Sequence, residues 1–235
     1  MRGAKNGDRR VDAAIAGVGL CVGLLLAWPF ATARGAGAST PWAGGPAESV
    51  AEVQRIARQV TVRLSGVGCL GATMGTGVRV GPGEVLTASH VVAGEASTTV
   101  LAADGERAGG TDISKLGAVD AASLHTTSDG PWVERRAGRP GRGETVVVAG
   151  SPGGGDVVVR SATVSGELPG RAPGDPPTSL LLDVEAQPGD SGGPVLDLEG
   201  RLVGIVYARA NSDGRAMVIP VEAIPLGSGT AGVSC

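Results

Sequence analysis

The chain has 235 residues, a formal net charge of −3 and 42% hydrophobic residues, of which very few are aromatic. This length and apolar content predict one or two folded domains with a core of Val, Leu, Ile and Ala. No basic face is evident, which argues against nucleic acid as a partner. The 41 glycines and 15 prolines fall mainly between short apolar runs, and this distribution is typical of a turn-rich all-β protein.

The N-terminal segment, residues 1–33, has the features of an export signal. Residues 1–12 are basic on balance, and residues 13–30 then carry no charged side chain. A small-x-small site of the kind that signal peptidase cuts follows at residues 31–33. The uncharged run is also marginally long enough to span a bilayer. A cleaved signal peptide and a retained anchor both remain open. Either places the rest of the chain outside the cytoplasm, secreted or anchored to the plasma membrane by one N-terminal helix.

Residues 34–46 have the composition of a flexible linker, and residues 47–235 are predicted to form the folded domain. Two sets of six β-type runs, over about 58–130 and about 143–226, each fit a small antiparallel barrel. A short amphipathic helix over 47–59 precedes them, and we expect it to dock on the first barrel. The glycine-rich tail after the last run is not expected to order by itself.

Residues 189–194 read GDSGGP and place Ser191 between glycines on a predicted tight turn. Small neighbours allow a substrate carbonyl to approach the hydroxyl. Glycine also lets the backbone turn, so that the amides of Gly189 and Ser191 point into one cavity. Two such donors stabilise the oxyanion of a tetrahedral intermediate. The pattern favours acyl transfer, although a glycine-rich turn alone is not specific.

A serine nucleophile needs a general base, which is itself held by a third group. The chain has only two histidines, His90 and His125. His90 ends an apolar β-type run, whereas His125 is interpreted as a partly exposed residue at the end of a strand. Among the acids, only Asp120 opens a strand-like apolar segment. The residues therefore indicate Ser191, His90 and Asp120 as a group.

Three motifs resemble those of trypsin-like serine proteases. LTASHVV around His90 is similar to their histidine motif, and QPGDSGGP around Ser191 is similar to their serine motif. VDAASL, which contains Asp120, resembles the strand that carries the acid in HtrA-like members. The order of the three motifs is also that of the superfamily. The resemblance covers about residues 50–235 and implies an all-β fold of two six-stranded barrels with the site in the cleft between them.

The resemblance also implies a role for each residue. Ser191 is similar to the nucleophile, His90 to the general base and Asp120 to the carboxylate that orients it. The amides of Gly189 and Ser191 are similar to the oxyanion hole. The implied function is an extracytoplasmic serine endopeptidase that cleaves protein or peptide substrates through an acyl-enzyme. No cofactor is expected, and two histidines with scattered carboxylates give no metal-ligand spacing. The alternative is a silent barrel that binds peptides by strand addition along Leu202–Ala208.

The chain departs from the family in two respects. No Ile-Val-Gly-Gly-like start is present, so activation by a freed N-terminus is not expected, and Asp190 needs another partner or solvent. The chain also ends about 40 residues after Ser191, without the PDZ domain that usually follows in HtrA-type proteases. It therefore resembles membrane-tethered or secreted actinobacterial single-domain members.

The resemblance places Glu185 at the base of the primary specificity pocket and assigns substrate binding to Glu185 and Tyr207. A buried carboxylate there would favour Arg or Lys before the scissile bond. The alternative for Glu185 is an ion pair with Arg209 or a position in solvent.

Two cysteines remain in the oxidising compartment once Cys21 is assigned to the N-terminal segment, and we expect a disulfide between Cys69 and Cys235. Related membrane-tethered proteases carry a comparable bridge. A free thiol and an intermolecular bond through Cys235 remain as alternatives.

Overall fold

The structure, a computed structural model, describes residues 49–227 and 229–234. Within these ranges the chain forms one α-helix, α1 (Val50–Val60), and thirteen strands. The strands are β1 (Thr61–Gly68), β2 (Gly71–Gly81), β3 (Glu84–Thr87), β4 (Thr98–Leu101), β5 (Arg107–Leu116), β6 (Ala122–Thr126), β7 (Thr145–Gly150), β8 (Val158–Pro169), β9 (Thr178–Glu185), β10 (Pro194–Leu196), β11 (Leu202–Arg209), β12 (Arg215–Pro220) and β13 (Gly229–Ala231).

The predicted signal or anchor segment, the linker and Cys235 lie outside the described residues. Across residues 49–227 and 229–234, no helix combines the length and the apolar character that a membrane crossing requires.

The two predicted six-stranded antiparallel barrels are confirmed. Strands β1 to β6 form the first barrel in the spatial order β1-β2-β3-β6-β5-β4, closed by the pairing of β4 with β1. Strands β7 to β12 close the second in the order β7-β8-β9-β12-β11-β10. A register shift between Val164 and Gly166 marks an irregularity in β8, which continues as one strand to Pro169. The loop between β8 and β9 spans residues 170–177.

The core has the predicted aliphatic composition. Every buried hydrophobic side chain among the described residues is Val, Leu, Ile or Ala, except for that of Tyr207. Alternation along the strands carries these side chains inward. Because aliphatic side chains fill the barrels, the one buried aromatic side chain among the described residues stands out as a candidate for a specific role.

Helix α1 forms where the sequence predicts a helix but does not dock as predicted. The Ser49 side chain accepts a hydrogen bond from the Glu52 amide and caps the helix. The helix packs mainly against β7 and β8 of the second barrel and makes fewer contacts with the first barrel. The expectation that it docks on the first barrel was wrong. Its buried apolar face, formed by Val53, Ile56, Ala57 and Val60, joins the core. At the rim of this contact, Gln54 donates to Ser161 of β8 (3.2 Å) and Arg58 donates to the Val157 carbonyl (2.7 Å).

The C-terminal tail is ordered as a strand through pairing with another strand, a contact that the sequence did not predict. Strand β13 pairs antiparallel with β5, with Gly229 opposite Leu116 and Ala231 opposite Ser114. All three residues of β13 are exposed, so the sequence shows no apolar alternation that would predict this strand. The backbone hydrogen bonds to β5 return the tail to the first barrel, as a seventh strand of that sheet.

Candidate functional site

His90 and Asp120 meet at the rim of the first barrel. His90 lies in a single helical turn directly after β3, and Asp120 lies in the turn before β6, not within the strand as predicted. Because β3 and β6 are antiparallel neighbours, with Thr87 opposite Ala122, the two turns face each other. His90 Nδ1 is 2.6 Å from Asp120 Oδ2, and the His90 amide donates to Asp120 Oδ1 at 3.0 Å.

The surroundings of Asp120 favour its ionised form. Burial raises the pKa of the carboxyl group and is the largest single influence on it. Hydrogen bonds from the His90 ring, the Ser89 hydroxyl (2.5 Å) and the His90 amide together outweigh burial, so the pKa lies below its ordinary value. The carboxylate is only 18% exposed, whereas the His90 ring is 50% exposed. The ionised Asp120 carboxylate therefore faces the Nδ1 edge of the His90 ring, and the other edge of the ring is open to a substrate.

The second barrel fixes the backbone of Asp120. The Asp120 amide donates to the carbonyl of Gly174 at 2.7 Å, and this residue lies on the loop 170–177. Asp175 orders the loop, because its Oδ2 accepts from the amides of Arg171 (2.8 Å) and Ala172 (2.9 Å). Its Oδ1 accepts from the Tyr207 hydroxyl at 3.1 Å. Two hydrogen bonds, from Tyr207 to Asp175 and from Asp120 to the adjacent Gly174, thus connect β11 to Asp120.

Ser191 lies between the two barrels. Its carbonyl accepts from the Thr76 amide of β2 (2.8 Å), and the amide of Gly192 donates to the Val206 carbonyl of β11 (2.7 Å). A Cβ on Gly192 would lie 3.0 Å from the amide of Ala88, two residues before His90. Within the described residues, the Ser191 hydroxyl makes no hydrogen bond to His90. Ser191 and His90 thus lie near each other between the barrels without a direct hydrogen bond.

Residues 187–190 form a turn that aims one backbone amide. The Asp190 amide donates to the Gln187 carbonyl at 3.0 Å, and Gly189 has φ of 98°. Proline in the second position and glycine with positive φ in the third are typical of a type II turn. The Pro188 carbonyl accepts from the Gly153 amide at 2.7 Å. Because N–H and C=O point in opposite directions across a trans peptide, the Gly189 N–H points away from Gly153.

The amides of Gly189 and Ser191 donate to no other described residue. Both amides are therefore available as hydrogen-bond donors. A Cβ on Gly189 would collide with the Ser151 carbonyl, so the turn requires glycine at this position.

Asp190 has an internal partner that sequence analysis missed. Its carboxylate is buried, and Arg160 of β8 lies 2.7 Å from Oδ2. The same oxygen accepts from the Gln187 amide at 3.0 Å, which links the ion pair to the turn of Gly189. A lone arginine inside the apolar run 157–164 was the signal in the sequence. Arg160 is thus the partner that Asp190 needs in the absence of a freed N-terminus.

The two predicted specificity residues differ in their surroundings. The Glu185 side chain is 64% exposed and lies 3.8 Å from Arg209, so it is not the buried carboxylate that a preference for Arg or Lys requires. Tyr207 is buried, and its hydroxyl lies 2.8 Å from Ser179 Oγ. A cavity of about 610 Å³ beside it is lined by Asp175, Ala208, Arg209 and others.

Cys69 lies in the turn between β1 and β2 and is disulfide-bonded. Its predicted partner, Cys235, lies outside the described residues. The preceding residue, Ser234, lines the same cavity as Cys69.

Comparison with known proteins gives consistent matches. Residues 75–205 match the family described as the trypsin-like peptidase domain. The serine protease Rv3671c of Mycobacterium tuberculosis is 35% identical over 164 residues, 66% of this chain and 41% of that protein. The putative serine protease HhoB of Synechocystis is 31% identical over 149 residues, 60% of this chain and 35% of that protein. The chain thus spans less than half the length of these relatives.

The crystal structure of the active form of the Mycobacterium tuberculosis Rv3671c protease superposes with a TM-score of 0.69 at 29% identity. The match covers 77% of this chain and 86% of that chain.

Proposed function

The chain belongs to the trypsin-like peptidase domain family, and on that premise we propose that it is a serine endopeptidase that acts on polypeptides outside the cytoplasm. The observation that carries the proposal is the paired contact of Asp120 with His90. One carboxylate oxygen accepts from the His90 amide and the other faces Nδ1 at 2.6 Å. This arrangement fixes the tautomer in which Nε2 is free to accept a proton.

The reaction follows from these positions. Ser191 Oγ attacks the carbonyl carbon of the scissile bond while its proton passes to His90 Nε2. The amides of Gly189 and Ser191 donate to the oxyanion that forms. The C–N bond then breaks as His90 returns the proton to the leaving nitrogen, which leaves an ester on Ser191. Water, deprotonated by His90, hydrolyses this ester and restores the serine.

The edge of β11 supports binding of an extended peptide beside Ser191. Gly204 and Ile205 pair with β10 on one side and β12 on the other, whereas Ala208 and Arg209 pair only with β12 among the described strands. A substrate can add as a strand along this free edge. The alternative function, peptide binding by a silent barrel along Leu202–Ala208, would use the same short edge. The pair formed by Asp120 and His90 favours catalysis over this alternative.

The extracytoplasmic part of the proposal rests on the N-terminal sequence. Residues 1–12 are basic on balance and residues 13–30 are uncharged, a pattern that directs export whether the segment is cleaved or retained. Fractionation of cells that express the full chain tests this part independently of catalysis.

A fluorophosphonate probe tests the catalytic part. We expect the wild-type protein to be labelled at Ser191 and to cleave peptides, and Ser191→Ala and His90→Ala to lose both reactions. Asp120→Asn should lower kcat by about four orders of magnitude, because an amide reverses the hydrogen bond to Nδ1. His125→Ala is the matched control, since this exposed histidine on β6 should leave the rate unchanged. Full activity of the His90 variant would refute the proposal.

A further inference from the structure

The three most exposed large hydrophobic side chains among the described residues belong to one hairpin. Val67 is 75% exposed, Leu70 is fully exposed and Met74 is 57% exposed, and all three lie on or between β1 and β2. Single exposed apolar residues are ordinary, but a cluster marks a binding surface. We call residues 67–74 the apolar hairpin.

The apolar hairpin borders the candidate site from two directions. Leu70 and Thr73 line a cavity of about 490 Å³ whose other walls include His90, Ala93 and Val233. A Cβ on Gly154 would lie 2.6 Å from Met74 Sδ, in the turn whose Gly153 amide holds the Pro188 carbonyl. The hairpin therefore extends from the His90 ring to the turn that aims the Gly189 amide.

The backbone holds this cavity in place. The Cys69 amide donates to the Ala93 carbonyl at 3.1 Å, and the Gly94 amide donates to the Val233 carbonyl at 2.7 Å. The hairpin, the segment after His90 and the C-terminal tail thus share backbone hydrogen bonds. A cavity fixed in this way is preformed for a ligand.

The chemistry of the proposed reaction identifies the occupant. His90 returns a proton to the leaving nitrogen, so this nitrogen and the chain after it must pass within hydrogen-bond reach of the ring. Among the cavities described above, the one that His90 lines is bordered by the apolar hairpin through Leu70 and Thr73. The cavity beside Tyr207 and Asp175 lies at β11, on the side of the free strand edge that suits the acyl half of the substrate.

We propose that the apolar hairpin is the binding site for the leaving half of the substrate, and that it selects apolar residues immediately after the scissile bond. This inference rests on the proposed endopeptidase function and adds a substrate class to it. Leu70 is the main specificity-determining residue, because a fully exposed side chain gains most from contact with an apolar partner.

Two quenched fluorescent peptides test the inference. Both carry the same acyl half, taken from the best substrate in a peptide library, followed by Leu-Leu in one peptide and Ser-Ser in the other. An anilide with this acyl half serves as a third substrate without a peptide leaving group. We expect the wild-type protein to cleave the Leu-Leu peptide about tenfold faster in kcat/KM, the lower range for discrimination by an apolar pocket.

Leu70→Ser should lower kcat/KM for the Leu-Leu peptide about tenfold more than for the anilide. Val50→Ser is the matched control, because Val50 is an exposed valine on α1. Equal cleavage of the two peptides by the wild type would overturn the inference, as would an equal loss on peptide and anilide in Leu70→Ser. In either case, intact fluorophosphonate labelling leaves the proposed function standing. If the fluorophosphonate probe does not label the wild-type protein, both this inference and the proposed function are wrong.

Discussion

The amide of Asp120 donates to the carbonyl of Gly174 at 2.7 Å, and this hydrogen bond joins an acid of the first barrel to a loop of the second. The residue beside Gly174, Asp175, accepts from two amides of the same loop and from the Tyr207 hydroxyl. The position of the Asp120 backbone therefore depends on a carboxylate that does not reach the His90 ring.

Asp175→Ala should slow catalysis through this connection. Without the carboxylate the loop 170–177 loses three hydrogen bonds, and Asp120 loses its anchor. A displacement of about 1 Å at an orienting group costs up to about 100-fold in rate, so we expect kcat to fall about 10- to 100-fold. Asp104→Ala is the control, because Asp104 likewise accepts from a turn amide but lies in the first barrel. Steady-state kinetics on an anilide substrate measures both variants, and an unchanged kcat in Asp175→Ala contradicts the prediction.

The ion pair of Arg160 with Asp190 leads to a second prediction. Arg160→Met leaves a buried carboxylate without its charged partner, which costs about 3 kcal/mol or more in the free energy of unfolding. It also releases the turn that aims the Gly189 amide, so fluorophosphonate labelling should slow. Arg63→Met is the matched control, because Arg63 pairs with a fully exposed Asp156 at 3.4 Å and should contribute less than about 1 kcal/mol.

Denaturant unfolding and labelling rates together test the prediction for the ion pair. The double variant Arg160→Met with Asp190→Asn should recover part of the stability, because it removes the uncompensated charge. A single Arg160 variant as stable as the wild type would show that Asp190 is held by the Gln187 amide alone.

The sequence predicted the double barrel and the group of Ser191, His90 and Asp120 because short motifs and strand alternation are local signals. It did not predict contacts that join distant segments. The Gly174 carbonyl carries no side-chain signature, and β13 consists of exposed small residues that pair only because β5 offers an edge. The periodicity of α1 predicts an apolar face but does not reveal which barrel that face packs against.

Tyr207 provides a spectroscopic prediction, because it is the only tyrosine in the chain. Burial raises the pKa of Tyr207 to about 12. The sign is that of a group whose folded pKa lies above its unfolded value of about 10. Its contribution to stability is therefore complete below pH 10 and is lost as the pH rises through 12. Tyrosinate absorbance in the folded protein should show a midpoint near 12, and Asp175→Ala should lower it. A midpoint near 10 in the folded wild type contradicts the prediction.

The remaining prediction is the disulfide between Cys69 and Cys235. Cys69 is disulfide-bonded, and Ser234 lines the cavity that Cys69 also lines. The Val233 carbonyl accepts from the Gly94 amide, which brings the tail to the segment after His90. The bond would therefore tie the tail to the first barrel.

Closure of a loop from residue 69 to residue 235 contributes about 5 kcal/mol on the chain-entropy model, with smaller values common in practice. Cys235→Ser should accordingly lower the midpoint of thermal unfolding by several degrees and release a thiol at Cys69. Cys21→Ser is the matched control and should change neither quantity. Non-reducing peptide mapping of the exported protein measures the pairing directly. A peptide in which Cys69 is joined to Cys21, or to a second chain, would refute the prediction, whereas a Cys69–Cys235 peptide that disappears on reduction would establish it.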